Sequence, residues 1–336
     1  MSIEYRRLRA DEVDAAADLW AYEHDDPGLD TAQHQAWRRQ FRTIPQLLTH
    51  TWVAVASDGR VLSIAHYWPL LIHGADGASQ RVGRISHVFT HADARRHGHA
   101  TRLLELMIAA MQAEGCLWSL LSASDEGQPL YERYGWRALP LRKISFVLSG
   151  VPRAVSSRYT VRPYDPEHEA GGWAIIQQMH QAYNKGRPLT TVRDKDYWRH
   201  QVENIRWWRS TGSAALLVAA ETADQHIPCA YALLYHWRRR PGFSLLEIGG
   251  CIGHEEALLS LLSTIMQPSG AATAECSLCL PHEPMLEAAL AALTSEVTYQ
   301  MGGDCMVRSI APGFDAQVLD ALPAAPGAVL WSLDDV

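Results

Sequence analysis

The chain has 336 residues, more than one domain of ordinary size contains, so two domains are expected. Hydrophobic residues make up 47% and charged residues 20% of the sequence, which excludes a disordered or fibrous protein. The formal charge of -7 disfavours nucleic acid as the main partner, because contacts to phosphates need a clustered basic surface.

The N-terminal segment and the cysteines narrow the class of protein further. The segment MSIEYRRLRADE lacks the apolar core of a signal peptide, and no apolar run approaches the roughly 18 residues of a membrane span. We therefore expect a cytoplasmic protein without a membrane partner. Cys276 and Cys279 form a C-x-x-C pair, but no second pair or nearby histidine completes a zinc site, so no metal is expected. Free thiols are predicted at Cys116, Cys229, Cys251, Cys276, Cys279 and Cys305.

The first 90 residues predict a strand, a helix and three further strands. Apolar and polar residues alternate in IEYRRLR, which is typical of a strand. After Asp11 the pattern becomes helical, with apolar residues at Val13, Ala16, Leu19 and Trp20. Residues 51 to 90 predict three consecutive antiparallel strands, because turn sequences such as Asp58-Gly59 separate their apolar runs.

A helix and a strand-helix-strand unit follow. From Gly98 the apolar residues recur with a period of 3.6 up to Gly115, which suits a helix end. CLWSLLSAS predicts a strand, PLYERYGW a short helix closed by Gly135, and ISFVLS a last strand. The first half is therefore expected to be mixed α/β, around one mostly antiparallel sheet. The predicted core face of the long helix is Leu103, Leu104, Met107, Ile108 and Met111.

The second half loosely repeats this order. The stretch SGVPRAVSSRYTVRP is rich in Gly, Pro and Ser and predicts a boundary near residue 155. Beyond it, a strand is predicted at YTVRP, a helix at WAIIQQMHQAY, strands at AALLVAAE, CAYALLYHW and FSLLEIGGCI, and a helix at EEALLSLLSTIM. The last residues, VLWSLDDV, are expected to dock on the body as a tail.

The passage ISHVFTHADARRHGHATRLLELM carries the most chemistry, because a strand runs through a turn into a helix with the spacing R-x-x-G-x-A. Such a junction directs unpaired N–H groups outward at the positive end of a helix dipole, which suits a pyrophosphate. Gly98 permits close approach of the backbone, and Arg95 and Arg96 add positive charge. The spacing alone is a weak signal, but PLYERYGW follows it after a helix and a strand, and two elements in this order are far less accidental.

The two elements resemble motifs A and B of the GNAT (GCN5-related N-acetyltransferase) family, over approximately residues 1 to 150. The resemblance implies that acetyl-CoA is the cosubstrate and that the main chain of Val88, Phe89 and Thr90 pairs with its pantetheine arm. It also implies that Tyr131 protonates the departing thiolate. The loop residues implied in binding the cosubstrate are Arg95, Arg96, His97, Gly98, His99, Ala100 and Thr101.

The acid and base are assigned by their chemistry. A phenol with a pKa near 10 stays protonated at neutral pH, so Tyr131 suits a general acid, although an aromatic packed on a short helix is the alternative. The base is left open between His87 on the central strand and Asp125 or Glu126 in SASDEGQ, each of which could instead be solvated or structural. Tyr134 is interpreted as structural, and His91, His97 and His99 as polar loop residues.

A narrower resemblance concerns LLSASDEGQPLYERYGWRALPLRK, which is similar to the A-S-E-x-x-I-Y-x-R-F-G-Y passage of the bacterial enhanced-intracellular-survival acetyltransferases. That group carries a second, degenerate GNAT fold. In the second half here, EIGGCIGHEEALLSL lacks R-x-x-G-x-A, and Glu255 and Glu256 would repel a phosphate, so a single coenzyme site is expected. The group also has a further C-terminal domain, for which this chain is short, and its substrate range is not carried over.

These observations predict an α/β (α+β) protein of two tandem GNAT-like domains, each a mostly antiparallel mixed sheet flanked by helices. Residues 1–155 would be the catalytic domain that binds acetyl-CoA, and residues 156–336 a degenerate domain that shapes the acceptor site. The expected activity is direct acetyl transfer to a primary amine of a small molecule or peptide. Nucleic acid and membranes are not expected as partners, and a homodimer is compatible with the sequence. The alternative is a non-catalytic acyl-CoA-binding sensor.

Overall fold

The computed structural model describes residues 2–24, 30–147, 158–210, 212, 214–236, 242–265, 275–279, 297–302 and 304–335. Its strands are β1 (Ile3–Arg7), β2 (Thr51–Ala56), β3 (Val61–His73), β4 (Ser79–Thr90), β5 (Trp118–Ser122), β6 (Arg137–Ala138), β7 (Leu141–Val147), β8 (Tyr159–Pro163), β9 (Thr191–Val192), β10 (Ala214–Glu221), β11 (Asp224–His236), β12 (Gly242–Gly250), β13 (Glu275–Cys279), β14 (Val297–Gly302) and β15 (Cys305–Ser309). Its helices are α1 (Val13–His24), α2 (Asp30–Thr43), α3 (Pro45–Thr49), α4 (His99–Ala113), α5 (Gln128–Arg133), α6 (Gly172–Asn184), α7 (Lys195–Ser210), α8 (Glu255–Ile265) and α9 (Gln317–Ala321).

The first sheet has the strand order β1-β2-β3-β4-β5-β15-β6, with β9 added beside β3. Neighbours from β1 to β4 are antiparallel, and β4 and β5 are parallel. The three antiparallel strands predicted between residues 51 and 90 are confirmed as β2, β3 and β4. The predicted core face of α4 is confirmed as well, because all five of its apolar residues are buried.

The second sheet repeats this pattern when it is followed from β8, in the order β8-β10-β11-β12-β13-β7-β14. Its strands are antiparallel from β8 to β12 and parallel between β12 and β13. Helices α6 and α8 follow the first and fourth strands, as α1 and α4 do in the first sheet. The predicted class, mixed α/β with two mostly antiparallel sheets flanked by helices, is therefore confirmed.

Both sheets contain strands from the other half of the chain: the first sheet has β9 and β15 from the second half, and the second sheet has β7 from the first. Strand β15 lies between β5 and β6 of the first sheet, and β7 lies between β13 and β14 of the second. The prediction that ISFVLS is the last strand of the first sheet is wrong, because β7 forms its backbone hydrogen bonds with strands of the second sheet. The boundary predicted near residue 155 lies outside the described residues, and the two sheets do not separate at that point.

The two faces of the first sheet have different covers. Helix α4 packs on one face, where its Leu103 and Met107 share a buried cluster with Tyr131. The other face is covered by α1, α2 and, from the second half of the chain, α7, whose Tyr197 belongs to the same cluster as Trp68. Helix α7 therefore closes a face of the sheet that carries the predicted motifs.

The C-terminal residues dock on the second sheet, as the tail prediction proposed. Val329, Leu330 and Trp331 are buried. The Trp331 indole Nε1 donates to the Asn184 Oδ1 at 2.8 Å. Farther along, Asp334 accepts from the buried Arg193 guanidinium at 3.0 Å.

Candidate active site

The candidate site is a cleft in which strands β4 and β5 separate. Their parallel register runs from Val82 opposite Trp118 to Arg84 opposite Leu120, while β4 continues to Thr90. Beyond Arg84 this edge of β4 therefore opens into a cleft of about 690 Å³. Its lining includes all three strand residues predicted to bind the cosubstrate, Val88, Phe89 and Thr90, and six of the seven predicted loop residues, Arg95, Arg96, Gly98, His99, Ala100 and Thr101.

A β-bulge interrupts β4 at the apex of this cleft. Ile64 of β3 pairs with Phe89, but His66 pairs with Ser86, so β4 carries one extra residue between these pairs. His87 lies within the bulge and has a φ of 53°, which is uncommon for a residue other than glycine. Such bulges redirect side chains next to active sites. The His87 Nδ1 lies 2.9 Å from the Ser86 hydroxyl.

The loop between β4 and α4 is shaped to present backbone amides. Arg96 and Gly98 both adopt left-handed φ angles, of 64° and 81°. The first helical hydrogen bond of α4 joins the Arg102 N–H to the Gly98 carbonyl at 3.0 Å. The N–H groups at the very start of α4 come before this bond, and their residues line the cleft. The Arg95 Nε donates to the Thr90 carbonyl at 3.1 Å, which holds the loop against the end of β4.

Tyr131 enters the same cleft from α5, on the side opposite the loop. Its ring packs against Trp136, with 6.2 Å between the ring centroids, and the side chain is 7% exposed. Among the described residues, none forms a hydrogen bond with its hydroxyl. Burial raises the pKa of Tyr131 to about 12, so this phenol stays protonated throughout the neutral range.

The neighbouring tyrosine behaves differently. The Tyr134 hydroxyl donates to Glu105 of α4 at 3.0 Å and ties the two helices together, in agreement with a structural role. Asp125 and Glu126 line the cleft close to α5, and both are exposed. The two predicted carboxylate candidates therefore lie at the same cleft as Tyr131.

The loop histidines have structural contacts. The His99 Nδ1 lies 2.8 Å from the Tyr5 hydroxyl, and burial lowers the pKa of His99. The His97 Nδ1 donates to the Arg95 carbonyl at 2.8 Å. Over the described ranges, no three His, Cys, Asp or Glu side chains are grouped as a metal site. None of the helices in those ranges combines the length and apolar character of a membrane span.

His87 is not among the residues that line the cleft, because its ring lies beside His66 on β3 at 6.2 Å between centroids. His66 in turn contacts Trp68, and Trp68 contacts His200 and Tyr197 of α7 at 5.3 and 5.4 Å. His87 is therefore joined by aromatic rings to a helix of the second half. No motif in the sequence indicates these neighbours, which come together only through the packing of α7.

Two of these histidines, His66 and His200, have lowered pKa values. Burial and then the charge of His87 lower the pKa of His200 to about 3. Burial, followed by His87, lowers the pKa of His66 well below its ordinary value. His66 of β3 and His200 of α7 are therefore uncharged at neutral pH.

A sequence model described as an acetyltransferase (GNAT) domain matches residues 4–139, which contain the cleft, the loop and Tyr131. Residues 4–139 therefore form a GNAT domain. This confirms the resemblance carried by the loop and by PLYERYGW. No curated protein matches the chain at a significant level.

Solved structures extend the similarity in fold beyond the GNAT domain. A probable N-acyltransferase from Enterococcus faecalis V583 has a TM-score of 0.69 at 13% identity. A GCN5-related N-acetyltransferase from Anabaena variabilis has a TM-score of 0.65 at 11% identity, and Eis1 from Mycobacterium abscessus one of 0.62 at 13%. Each match covers 92% of this chain, and it covers 73% of the first two structures and 74% of Eis1. At these identities the likeness concerns the fold alone, but it includes both halves of the chain.

The second sheet has a different environment at the place equivalent to the cleft. Strands β12 and β13 pair only from Gly242 to Ser244, so β12 also runs on beyond its parallel partner. There the buried Glu247 accepts hydrogen bonds from Arg193 and from the Tyr231 hydroxyl. Helix α8 then begins with the glutamates of the His254-Glu255-Glu256 run. An acidic helix start is less suited to an anion than the start of α4.

Proposed function

We propose that the protein is an N-acetyltransferase that moves an acetyl group from acetyl-CoA directly to a primary amine. The observation that carries the proposal is the Tyr131 hydroxyl, which has no partner among the described residues and borders the same cleft as the open edge of β4 and the amides of the Gly98 loop. One cleft would thus offer a proton donor for the thiolate, a strand edge for the pantetheine arm and an anion-binding loop for the pyrophosphate.

The cleft residues fit acetyl-CoA in shape and in chemistry. The amides at the start of α4 and the guanidinium of Arg96 would hold the pyrophosphate, and the main chain of Val88 to Thr90 would pair with the pantetheine arm. A Cβ built on Gly98 has no heavy atom within 4 Å, so the space that a phosphate requires is open. The cosubstrate supplies the activated acetyl group.

Tyr131 would act as the general acid. As the amine nitrogen attacks the carbonyl carbon and the carbon–sulfur bond breaks, the hydroxyl donates its proton to the thiolate, and solvent then reprotonates the phenolate. Because burial holds the Tyr131 pKa at about 12, this group should not lower kcat at any pH up to about 10. Main-chain amides of β4 would polarise the carbonyl.

The proton of the attacking amine needs a base, for which His87 is our first choice and Glu126 the alternative. His87 lies in the bulge on the face that α7 covers, so it approaches the thioester from the side opposite α4. Glu126 and its neighbour Asp125 border the cosubstrate cleft and are exposed. His87→Gln and Glu126→Gln distinguish them, because only loss of the base removes the acidic limb of the pH profile of kcat.

The second half of the chain would shape the acceptor site through α7, which carries His200 and Tyr197 to the His87 side of the sheet. We propose a small-molecule or peptide amine as the acceptor. Release of the coenzyme thiol should be measured over aminoglycosides, polyamines, amino acids and peptides. Tight binding of the coenzyme without turnover of any amine would instead favour the acyl-CoA sensor.

The test of the mechanism is Tyr131→Phe in single-turnover experiments with the best amine. General acids typically contribute about 10²–10⁴-fold, and a loss of that size in the chemical step is expected with unchanged coenzyme affinity. Tyr134→Phe is the matched control, because its hydroxyl is bound to Glu105, and it should retain the wild-type rate. A wild-type chemical step in Tyr131→Phe would mean that the ring only packs.

A further inference from the structure

A second cavity, of about 1090 Å³, lies between α6, α7 and the short strand β9. It reaches His73 and Ser79, which are at the end of β3 and the beginning of β4. The GNAT cleft opens beyond Arg84, and its lining on β4 runs from Val88 to Thr90. Nine residue steps of extended strand, about 30 Å, separate Ser79 from Val88, so the two cavities have separate linings.

The cavity is basic, although the chain as a whole carries a formal charge of -7. Lys185, Lys195 and Arg199 are exposed at its edge, and no aspartate or glutamate belongs to the described lining. Neither lysine forms an ion pair within the described part of the chain. The whole sequence contains three lysines, Lys143, Lys185 and Lys195, so two of the three border this cavity.

The nearby acidic groups are engaged elsewhere. Asp194 accepts from the Tyr197 N–H at 2.8 Å and caps α7. Asp196 lies 3.4 Å from Arg199 and accepts from Gln46. The buried Arg193 in the cavity wall is neutralised by Glu247 and Asp334. The positive charge left for a ligand is therefore that of the two lysines, together with part of Arg199.

A buried histidine, His180, lines the same cavity. The Trp331 Nε1 can only donate, so its bond to Asn184 fixes Oδ1 as the acceptor and Nδ2 as the donor of that amide. The Asn184 Nδ2 lies 3.0 Å from the His180 Nδ1, and the Glu247 Oε1 and the Tyr231 hydroxyl each lie 3.4 Å from the same nitrogen. None of these contacts involves the other ring nitrogen, the His180 Nε2.

This Nε2 is buried and has no hydrogen-bond partner in the described structure, and neither does the Thr191 hydroxyl. His180 and Thr191 are 3% and 1% exposed, and both belong to the cavity lining. A buried polar group without a partner is costly, so each is a position where a ligand atom or a water would be bound.

The remaining wall is aromatic and apolar. Trp173 and Trp198 both line the cavity. Val192 and Ile252, which are 37% and 83% exposed, add apolar surface at its edge. We propose that this cavity is a second binding site, for a small organic anion with a flat apolar body, whose charge meets Lys185 and Lys195 and whose polar atom meets the His180 Nε2.

The probe for this site is 8-anilinonaphthalene-1-sulfonate, an aromatic anion whose fluorescence rises on binding. Titration of the full-length protein at low salt, with coenzyme A saturating, should give a saturable rise with one equivalent bound. Lys185→Glu/Lys195→Glu should weaken binding about tenfold or more, because both charges are reversed at the edge of the cavity. N-phenyl-1-naphthylamine, which has no sulfonate, should bind more weakly than the anion.

The matched control is Arg60→Glu/Arg158→Glu, which makes the same change in net charge at two exposed sites outside the lining. It should bind the probe as the wild-type protein does. Circular dichroism verifies that both variants are folded. The proposal is overturned if the lysine variant retains its affinity, if the control loses as much, or if coenzyme A abolishes the probe signal.

Discussion

Strand β15 makes the stability of the GNAT sheet depend on residues far beyond residues 4–139. Met306 of β15 pairs with Leu121 of β5 and with Ala138 of β6, and it is 0% exposed. Its side chain belongs to the buried cluster that contains Met107 of α4. Met306→Ala should therefore weaken the sheet that forms the coenzyme cleft.

The magnitude follows from burial. A buried methionine replaced by alanine costs about 2–5 kcal/mol, a large part of the roughly 5–15 kcal/mol by which a domain is stable. Met301 of β14 is the matched control, because it is 65% exposed, and Met301→Ala should stay within about 0.5 kcal/mol of wild type. Urea unfolding followed by circular dichroism gives both values from the shift in the midpoint.

A fragment of residues 1–155 extends the test. It lacks β15 and thus the burial of Met306, Val307 and Ile310, each worth about 1.5–3 kcal/mol. The fragment should be largely unfolded and should not bind coenzyme A in calorimetry, whereas co-expression with residues 156–336 should restore both. Our account of the exchanged strand is refuted if Met306→Ala is as mild as Met301→Ala and the fragment unfolds at the midpoint of the full chain.

Three further outcomes are expected. Gly98→Glu should weaken coenzyme A binding at least about tenfold, because Gly98 has a φ of 81° and would face the phosphates. Unchanged affinity in calorimetry would show that the loop is not part of the binding site. Saturation should occur at one coenzyme per chain, because α8 begins with glutamates, and two equivalents would contradict a degenerate second half. The free energy of unfolding should fall as the pH drops from about 6.5 towards 3, by up to about 1.4 kcal/mol per pH unit for His200. The pKa of His200 is about 3 in the folded protein and higher in the unfolded chain, so the unfolded chain takes up the proton first. In urea titrations, His200→Gln should make the free energy of unfolding depend less on pH. If His97→Gln reduces the pH dependence equally, burial of His200 is not the cause.

The face of α4, the hairpin strands and the Gly98 loop could all be predicted from the sequence. In each case the signal spans a few residues, because helical periodicity, strand alternation and a glycine before a helix are local properties. Tyr131 was predicted in the same way, from a short helix that follows the phosphate loop in a fixed order. Tyr131 lines the cleft, and its role as the acid stays a prediction.

The partners of β7 and β15 could not be predicted, because an apolar strand can pair with any free edge and its own residues do not specify which. The same holds for the neighbours of His87. His200 is 113 positions away in the sequence, and only the packing of α7 on the first sheet buries it beside Trp68 and lowers its pKa.

By itself, the sequence determined the GNAT domain, the strand-loop-helix junction and the acid candidate, since local spacing creates them. The tertiary structure alone decided which strands complete each sheet and which helix covers the face of His87. It also created the basic cavity between α6 and α7, because folding places His73 and Ser79 of the first half beside the helices of the second half.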